Sequence, residues 1–463
     1  MPLWRLEPCA GKLACTVLRG EHAGNGVFLP DSCERVFQPR LNKRPVVVLS
    51  SNDGACIARS NEAKALGVKM AQPWFEVRHL ERSAGLVAVS ANFELYGDMS
   101  SRMMAVEARF APRQQVYSID ESFLDFEGVR GDLVAIGTEL RATVLRETGL
   151  PTSVGFGSTK TLAKLANHVA KTADRSPGSY PAALAQVCNF GALPDEQIRQ
   201  VMAATAVGNV WGVGRRIGAK LVDAGIRTVL DLVRCDATAL RSQFSVLLEK
   251  TVLELRGTSC LSLEELPAAK QQILVSRSFG QAVTEVGGLI EAVSEFASRA
   301  AEKLREQGGT AGAVNVFFTT SAFRVKDRQH SASQTLPLVR PTSDSRLLVS
   351  AAVDAVHRLF RPGFNYAKAG VVLMDLQAAG QQQGELDLFA ATESPRAQAL
   401  DRDRSALMAA MDSLNRRFGR DAVQIASAAL AGQGAEAPSW STRQDRRSPR
   451  YTTRWDEMAR VRA

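Results

Sequence analysis

The chain has 463 residues, of which 45% are apolar, so it is large enough for roughly two to four domains with buried cores. The formal net charge of +9 suits a polyanionic partner, although an ordinary basic protein carries a similar charge. Seven cysteines without a C-x-x-C pair and five dispersed histidines argue against a zinc site or a disulfide framework. No apolar run approaches the about 20 residues of a membrane span, and we expect a cytoplasmic protein.

The sequence pattern becomes regular only after about residue 32. Residues 1–31 show no clear pattern, except that 15–18 resembles a strand. PVVVLSS (45–51) predicts a buried strand, and NEAKALG predicts a short helix from about Ser60, with Gly67 just after its C-terminal end. Further on, a strand is predicted over 86–90 and a helix over 98–110.

The stretch VYSIDESFLDF (116–126) is apolar except near the adjacent carboxylates Asp120 and Glu121. Its pattern predicts a strand, a tight break and a second strand. Neighbouring charges in an apolar setting are unfavourable unless they are compensated, and a divalent cation is the usual compensation. A solvated hairpin turn is the alternative, and the local residues do not decide between the two.

Three lysines share one face of the next predicted unit. After a helix predicted over 132–147 and a strand over 153–158, a second helix is predicted over 159–171. At roughly 100° per residue, its apolar side chains fall on one face, and Lys160, Lys164 and Lys171 fall on the other. A solvated lysine face and a phosphate contact both explain this arrangement. The alternation of strands and helices over 85–171 indicates an α+β domain.

Residues 210–232 predict two helices around a glycine hairpin of the form G-x-G. Glycines at this place expose backbone N–H groups at a helix N-terminus, which suits a phosphate oxygen, and basic side chains follow directly. The motif resembles a helix-hairpin-helix, which binds the DNA backbone without reading its sequence; a plain helical turn is the alternative. The candidate DNA-binding residues are Gly212, Gly214, Arg215, Arg216 and Lys220.

The C-terminal half begins with a second α+β unit. Residues 272–376 predict the order βαββαβ, which gives a four-stranded sheet with two helices on one face. A linker-like run, AAGQQQG, is followed by ELDLF, which is either a helix start or a docking peptide for a partner's groove. The arginine-rich tail over 443–462 is predicted to be mobile or to fold on a partner.

With these segments together, the chain resembles the UmuC-type catalytic subunits of DNA polymerase V, within the Y family of translesion polymerases. The matching stretches are SCERVF (32–37), RPVVVLSSNDG (44–54), ARSNEAKALGVKM (58–70), NFELYGDMS (92–100), YSIDESF (117–123), TKTLAKLANHVAK (159–171), VWGVGRRI (210–217) and SPRYTTRWDE (448–457). A chance resemblance over so much of the chain is not expected.

The resemblance implies a multidomain α+β fold shaped like a right hand. It has a ferredoxin-like palm, small fingers, a helical thumb with a helix-hairpin-helix, and a βαββαβ little finger. The implied segments are an atypical N-terminal segment over 1–31, palm and fingers over 32–190 with the fingers at about 40–97, thumb over 191–262, little finger over 263–377, a linker with a clamp-binding-like peptide over 378–404, and a UmuC-specific tail over 405–463.

The implied activity is error-prone, template-directed DNA synthesis across lesions during the SOS response, by nucleotidyl transfer with two Mg²⁺ ions. By resemblance, Asp120 and Glu121 are the catalytic, metal-binding pair, and Lys64, Lys171 and Arg59 bind the triphosphate. The implied partners are primer–template DNA and dNTP, a processed UmuD-like dimer, a RecA filament and the sliding clamp. The clamp would bind the peptide formed by Glu385, Leu386, Asp387, Leu388 and Phe389.

Two stretches depart from the family pattern: the segment before Ser32 and the clamp-like peptide ELDLF. The pattern D-x-N-x-F-Y-x-S-C-E supplies a third metal-binding Asp and a Tyr that screens out ribonucleotides, but here Asn25 holds the Asp position and Pro30 the Tyr position. A missing carboxylate predicts a rate lower by orders of magnitude, so the alternative function is a catalytically impaired DNA- and partner-binding protein. The abrupt return of the pattern at Ser32 suggests a reading-frame or start-site error upstream. Clamp peptides usually begin with Gln, so Glu385 predicts weaker clamp binding at most.

Overall fold

The computed structural model describes residues 14–18, 29–263, 270–379, 404–419, 421–428 and 440–459. They divide into two units. Unit 1 contains the described residues up to 263 together with 444–459, and unit 2 contains those from 270 to 443. Within these ranges, every helix is too short or too polar to span a bilayer.

Unit 1 alternates short strands with helices and ends in a helical region. Its strands are β1 (Ala14–Leu18), β2 (Val46–Leu49), β3 (Cys56–Arg59), β4 (Val87–Ser90), β5 (Arg113–Ser118), β6 (Glu121–Asp125), β7 (Ser153–Gly157) and β8 (Val187–Asn189). Its helices are α1 (Leu29–Phe37), α2 (Asn61–Ala65), α3 (Trp74–Val77), α4 (Leu80–Ser83), α5 (Phe93–Glu107), α6 (Leu133–Thr148), α7 (Lys160–Arg175), α8 (Asp195–Ala204), α9 (Arg215–Asp223), α10 (Val229–Arg234), α11 (Ala237–Gln243) and α12 (Val246–Leu255).

Two sheets share the main core of unit 1. The larger sheet has the strand order β5-β6-β1-β7-β8, and β1 is antiparallel to both β6 and β7, with Leu18 opposite Glu121. The smaller sheet has the order β3-β2-β4, with β2 parallel to β4. Val46 and Val48 of the smaller sheet and Leu124 of the larger one belong to one buried apolar cluster. The two sheets therefore pack around common helices, among them α1 and α5.

Two predicted helices differ from the observed ones at their ends. Helix α5 begins at Phe93 instead of Asp98, because the Asn92 side chain caps it by accepting a hydrogen bond from the Leu95 amide at 3.3 Å. Helix α7 continues past Lys171 to Arg175, since nothing before Ser176 interrupts the helical backbone. The predicted strand–break–strand at 116–126 is confirmed as β5, a turn at 119–120, and β6.

Helix α7 packs unusually close to strand β7. A Cβ atom added to Gly155 would lie 2.1 Å from the Asn167 backbone nitrogen, so only glycine allows this approach. The Asn167 side-chain amide also donates to the Ser153 carbonyl at 2.7 Å. This contact sets the position of the lysines that α7 carries.

Unit 2 has the predicted βαββαβ order. Its strands are β9 (Ile273–Val283), β10 (Gly309–Thr320), β11 (Ser331–Thr342) and β12 (Tyr366–Ala378), and its helices are α13 (Val286–Glu306), α14 (Ser345–Leu359) and α15 (Ser405–Phe418). The sheet order is β11-β10-β12-β9. Helices α13 and α14 pack against each other over one core that includes Phe296 and Phe318, which confirms the two-helices-on-one-face prediction.

The arginine-rich C-terminal tail is folded onto its own chain where the structure describes it. Residues 444–459 pack against unit 1, and Ser448 is 6% exposed. The prediction that the tail is mobile or folds on a partner is therefore wrong for these residues. A run of arginines looks solvated in sequence, but the polar partners of this one lie in the same chain.

Gly155→Ala is expected to lower the free energy of unfolding of unit 1 by about 1–3 kcal/mol or more, because the new methyl group overlaps the α7 backbone. The measurement is the midpoint temperature of thermal unfolding of the full chain. Gly97→Ala is the matched control. Gly97 lies inside α5, and no atom lies within 4 Å of its added Cβ, so alanine should raise stability by about 0.5–1 kcal/mol. Equal midpoints for the two variants would contradict the close approach of α7 to β7.

Candidate active site

Asp120 lies at the tip of the β5–β6 hairpin, directly before the first residue of β6. Its position is set by Ser118, whose hydroxyl donates to Asp120 Oδ1 at 2.6 Å and accepts from the Asp120 amide at 3.3 Å. Glu121 starts β6, so its backbone is held in the sheet. The turn therefore presents two neighbouring carboxylates in a defined geometry.

Asp120 is buried, with 6% of its surface exposed. The pKa of Asp120 is raised from 3.8 to about 6, chiefly by burial and in addition by the neighbouring Glu121 charge. The Ser118 hydrogen bond and the Lys171 and Lys164 ammonium groups act in the opposite direction and lower this pKa. Asp120 is therefore a desolvated carboxylate whose charged form depends on nearby positive charge.

Helix α7 supplies that positive charge. Lys164 Nζ lies 2.7 Å from Glu121 Oε2, and both side chains are largely buried. The same ammonium group lies 5.2 Å from the centre of the Tyr117 ring and 5.8 Å from that of Trp211. The structure thus brings Asp120, Glu121, Lys164 and Lys171 to one place.

The lysine face of α7 is not solvated. Lys160 and Lys171 are only 7% and 5% exposed, and Lys160 donates to the Gln115 side chain and the Ser262 carbonyl. Of the two explanations for the lysine face, the solvated one is wrong. Helical periodicity could not show this, because a charged face has the same spacing whether water or another element covers it.

A second buried acid lies behind the pair. Glu107, at the C-terminal end of α5, is fully buried and accepts a hydrogen bond from Ser122 at 2.7 Å. Gln114 donates to the same Ser122 hydroxyl at 3.3 Å and to the Met104 carbonyl at 3.1 Å. Burial raises the pKa of Glu107 to about 8. These contacts fix β6 at the residue next to Glu121.

The other predicted triphosphate ligands lie on the smaller sheet and the helix after it. Arg59 ends β3 and donates to the Val68 carbonyl at 2.7 Å. Lys64 lies in the last turn of α2, where its ammonium group is 3.5 Å from Asn61 Oδ1. The predicted helix from Ser60 is confirmed: the Ser60 side chain caps α2.

The third metal-ligand position falls outside the described residues, as does the candidate clamp peptide. These are Asn25 and Glu385, Leu386, Asp387, Leu388 and Phe389. Strand β1, which pairs with β6, has the sequence ACTVL and contains no carboxylate. In the ranges that the structure describes, Asp120 and Glu121 are not joined by a third His, Cys, Asp or Glu in a metal-binding arrangement.

The glycine hairpin lies between a single 3₁₀ turn, Val207–Asn209, and α9. Gly212 has φ +87°, which favours glycine, and Gly214 is the N-cap of α9 without a side-chain cap. All the candidate DNA-binding residues of this hairpin are exposed: Gly212, Gly214, Arg215, Arg216 and Lys220. Directly before the hairpin, Trp211 Nε1 donates to the Tyr117 hydroxyl at 3.2 Å, so this turn contacts β5 next to the acidic pair.

Sequence reasoning did not assign four residues that shape this site. They are Ser118, Glu107, Lys164 and Trp211. Two had a usable signal. A serine two residues before an aspartate is typical of a side-chain-stabilised turn, and Glu107 is one helical turn from the apolar Met103 and Met104. Contacts of Lys164 and Trp211 depend on distant parts of the chain.

Known proteins with similar sequences cover nearly the whole chain. The impB/mucB/samB family matches residues 30–168, and its C-terminal domain matches 270–386. A domain of unknown function, DUF4113, matches 405–461. Protein UmuC of Salmonella typhimurium is 44% identical over 432 residues, which cover 93% of this chain and 97% of that protein. The chain belongs to the impB/mucB/samB family.

Two further comparisons agree with this assignment. Protein MucB of Escherichia coli is 43% identical over 435 residues, covering 93% of this chain and 96% of that protein. The solved structure of a Y-family DNA polymerase chimera superposes with a TM-score of 0.58 at 17% identity and covers 79% of this chain and 99% of its own. The chain is a UmuC-like protein with the multidomain α+β fold of Y-family polymerases, which confirms the predicted fold class.

Glu107 predicts a specific pH dependence of stability. The folded chain keeps this proton up to about pH 8, whereas the unfolded chain releases it near 4.5. Because the folded state binds the extra proton between these values, the free energy of unfolding should fall as the pH rises, by roughly 3–5 kcal/mol at most.

Glu107→Gln should remove this loss, and its thermal midpoint should exceed that of the parent at about pH 8.5 but not at about pH 4.5. The exposed Glu139→Gln on α6 is the control and should change neither midpoint. An unchanged midpoint for Glu107→Gln at the higher pH would show that Glu107 ionises normally.

Proposed function

We propose that this chain is a DNA-directed DNA polymerase that extends primers across damaged template bases, with nucleotidyl transfer at Asp120 and Glu121. The observation that carries the proposal is the buried carboxylate pair facing Lys164 and Lys171 of α7. Phosphoryl transfer is catalysed mainly by positioning and by electrostatic stabilisation of phosphate charge, and this site combines both kinds of group. The 44% identity to a UmuC protein supports the same reaction.

The acidic pair suits divalent cations, and we propose that it binds two Mg²⁺ ions. Carboxylate oxygens are the ligands that Mg²⁺ prefers, and the desolvation that raises the pKa of Asp120 is the kind that a bound cation relieves. Asp120 and Glu121 would hold the ions. When bound in such a site, divalent ions activate the primer 3′-hydroxyl and stabilise the leaving pyrophosphate.

Lys171 and Lys164 have roles that differ from metal binding. Lys171 lowers the pKa of Asp120 and is 5% exposed, so it can neutralise triphosphate charge in a site that excludes water. Lys164 holds Glu121 in place through the 2.7 Å ion pair. Arg59 on β3 and Lys64 on α2 would contact the triphosphate from the side of the smaller sheet.

The exposed glycine hairpin would bind the DNA backbone. The N-terminus of α9 has no side-chain cap, so its N–H groups are available to a phosphate oxygen, and Arg215, Arg216 and Lys220 add positive charge. We also propose that the chain works in the SOS response with a processed UmuD-like dimer and a RecA filament. The peptide at 385–389 would bind the sliding clamp weakly.

A second candidate function is that of a catalytically impaired DNA- and partner-binding protein. One observation favours it: β1, the strand opposite Glu121, contains no carboxylate, and Asn25 occupies the family's Asp position. A site with two carboxylates fixes its metal ions less firmly than a site with three.

Primer extension past an abasic site tests the polymerase proposal. The unaltered chain should incorporate nucleotides, and Asp120→Ala should lower the rate by at least about 100-fold, because it removes a ligand that stabilises the transition state. Asp195→Ala, in the exposed first turn of α8, is the control and should keep the parental rate. If the unaltered chain binds primer–template DNA but incorporates nothing, the polymerase proposal fails and the impaired alternative is supported. In that case, Asn25→Asp should create activity.

A pair of lysine variants separates nucleotide binding from DNA binding. Lys171→Met should lower kcat/KM for dNTP by about 10–100-fold and leave DNA affinity unchanged, because it removes a buried charge-assisted phosphate contact. Lys220→Met should weaken DNA binding and reduce the salt dependence of that binding by about one phosphate contact, with the KM for dNTP unchanged. Titrations of DNA and of dNTP at several salt concentrations provide the measurement. The same effect from both variants would contradict separate roles for α7 and α9.

A further inference from the structure

Three family-like stretches that lie far apart in the sequence meet at one place in unit 1. They are SCERVF in α1, NFELYGDMS at the start of α5, and SPRYTTRWDE near the C-terminus. The last belongs to residues 444–459, here called the C-terminal segment, which fall within the match to a domain of unknown function. The meeting point is where the smaller sheet joins α1 and α5.

The C-terminal segment first covers the open edge of the smaller sheet. The Ser90 amide donates to the Arg446 carbonyl at 3.1 Å, the Arg446 amide donates to the Ser90 hydroxyl at 2.9 Å, and Ser90 pairs with Arg447 in a parallel bridge. Gln444 donates to the Ala91 carbonyl at 2.9 Å. Because β4 is an outer strand of the sheet, these bonds satisfy backbone groups that would otherwise face solvent.

The segment then enters a buried polar cluster. The Asn92 amide nitrogen lies 3.1 Å from the Ser448 carbonyl, the Ser448 hydroxyl and the Pro449 carbonyl. The Ser448 hydroxyl donates to Glu34 Oε1 at 2.9 Å, and the Tyr96 hydroxyl donates to the same oxygen at 2.7 Å. Asn92, Glu34 and Tyr96 are at most 2% exposed.

This cluster is sensitive to the loss of any member. Burial raises the pKa of Glu34, and the hydrogen bonds from Tyr96, Ser448 and Gln38 act against that rise. A buried carboxylate that loses a donor keeps its desolvation penalty without compensation. Asn92 also caps α5, so one side chain connects the segment to the start of this helix.

The C-terminal segment also contacts helices on both sides of this polar cluster. Tyr451 stacks on Phe37 of α1 with ring centres 4.7 Å apart. The Arg450 guanidinium lies 2.7 Å from a Glu94 carboxylate oxygen of α5. On the side of the smaller sheet, Arg446 pairs with Glu81 of α4 and lies 5.3 Å from the centre of the Trp74 ring of α3. The segment thus binds the helices of the common core and the helices that flank the smaller sheet.

We propose that the C-terminal segment is a brace that holds the smaller sheet against α1 and α5 and so positions β3 and α2, which carry Arg59 and Lys64. This role goes beyond the proposed polymerase function, because the brace can be measured without catalysis. Ser448 and Asn92 are positioning residues: they act on the candidate nucleotide ligands through β4 and β2.

Hydrogen–deuterium exchange tests the brace directly. A chain ending at Arg443 should exchange the amides of β2, β4 and α2 about tenfold faster than the full chain, because local opening becomes easier when edge contacts are lost. Strands β10 and β12 of unit 2 are the internal control and should not change. A synthetic peptide of residues 444–459 should restore slow exchange to the shortened chain. Equal exchange in the shortened and full chains would overturn the proposal.

Ser448→Ala in the full chain keeps the test decisive if the shortened chain does not fold. It should speed exchange in β4 and α2 by about three- to tenfold, the effect of one lost buried hydrogen bond. Thr453→Ala removes an exposed hydroxyl of the same segment and should have no effect.

In a polymerase assay, Ser448→Ala should raise the KM for dNTP and leave kcat within about twofold, as a misplaced binding element predicts. A loss of kcat alone, or no change of exchange in either variant, would contradict the brace. Inactivity of every variant, the parent included, would bear on the proposed function only, since exchange does not depend on catalysis.

Discussion

The candidate site depends on one electrostatic arrangement: two neighbouring carboxylates are kept out of water beside the ammonium groups of α7. Asp120 is almost fully buried, and its charge is opposed by burial and by Glu121 but favoured by Lys164 and Lys171. Without the lysines, the turn would hold two like charges in an apolar setting, which is strongly unfavourable. The proposed binding of cations and phosphates would use both kinds of charge at this site.

The lysines reach the hairpin because α7 packs closely on β7. Gly155 and Gly157 remove the side chains that would separate helix and strand, and Asn167 ties the helix to Ser153. The electrostatics of the site thus depend on a steric condition in the neighbouring strand. The glycines of β7 allow the close packing, and this packing places the lysines of α7 beside the carboxylates.

The same principle extends to the edges of unit 1. Trp211, beside the glycine hairpin, contacts Tyr117 on β5, so the candidate DNA-binding turn touches the strand that leads to Asp120. At the smaller sheet, Ser448 completes the hydrogen bonding of a glutamate near the other end of the chain. The Ser448 contact connects a surface segment to a buried polar group, and such groups tolerate few alternative arrangements.

Local patterns in the sequence were sufficient for much of the fold. The β5–β6 hairpin, the short helix capped by Ser60, and the βαββαβ order of unit 2 follow from periodicity, caps and turn residues, because these features depend on neighbours within a few positions. The family-like stretches also indicated the acidic pair and Lys171 as site residues, because each of these residues lies inside a matching motif.

The tertiary structure alone decided which charges are buried and what they contact. Lys164 and Glu121 are 43 residues apart, and Ser448 and Glu34 are 414 apart, so no local pattern could pair them. A helical lysine face and an arginine-rich tail have the same spacing and composition whether they are solvated or covered. Burial depends on the packing of distant elements, and that packing turns these charged stretches into a candidate site and a brace.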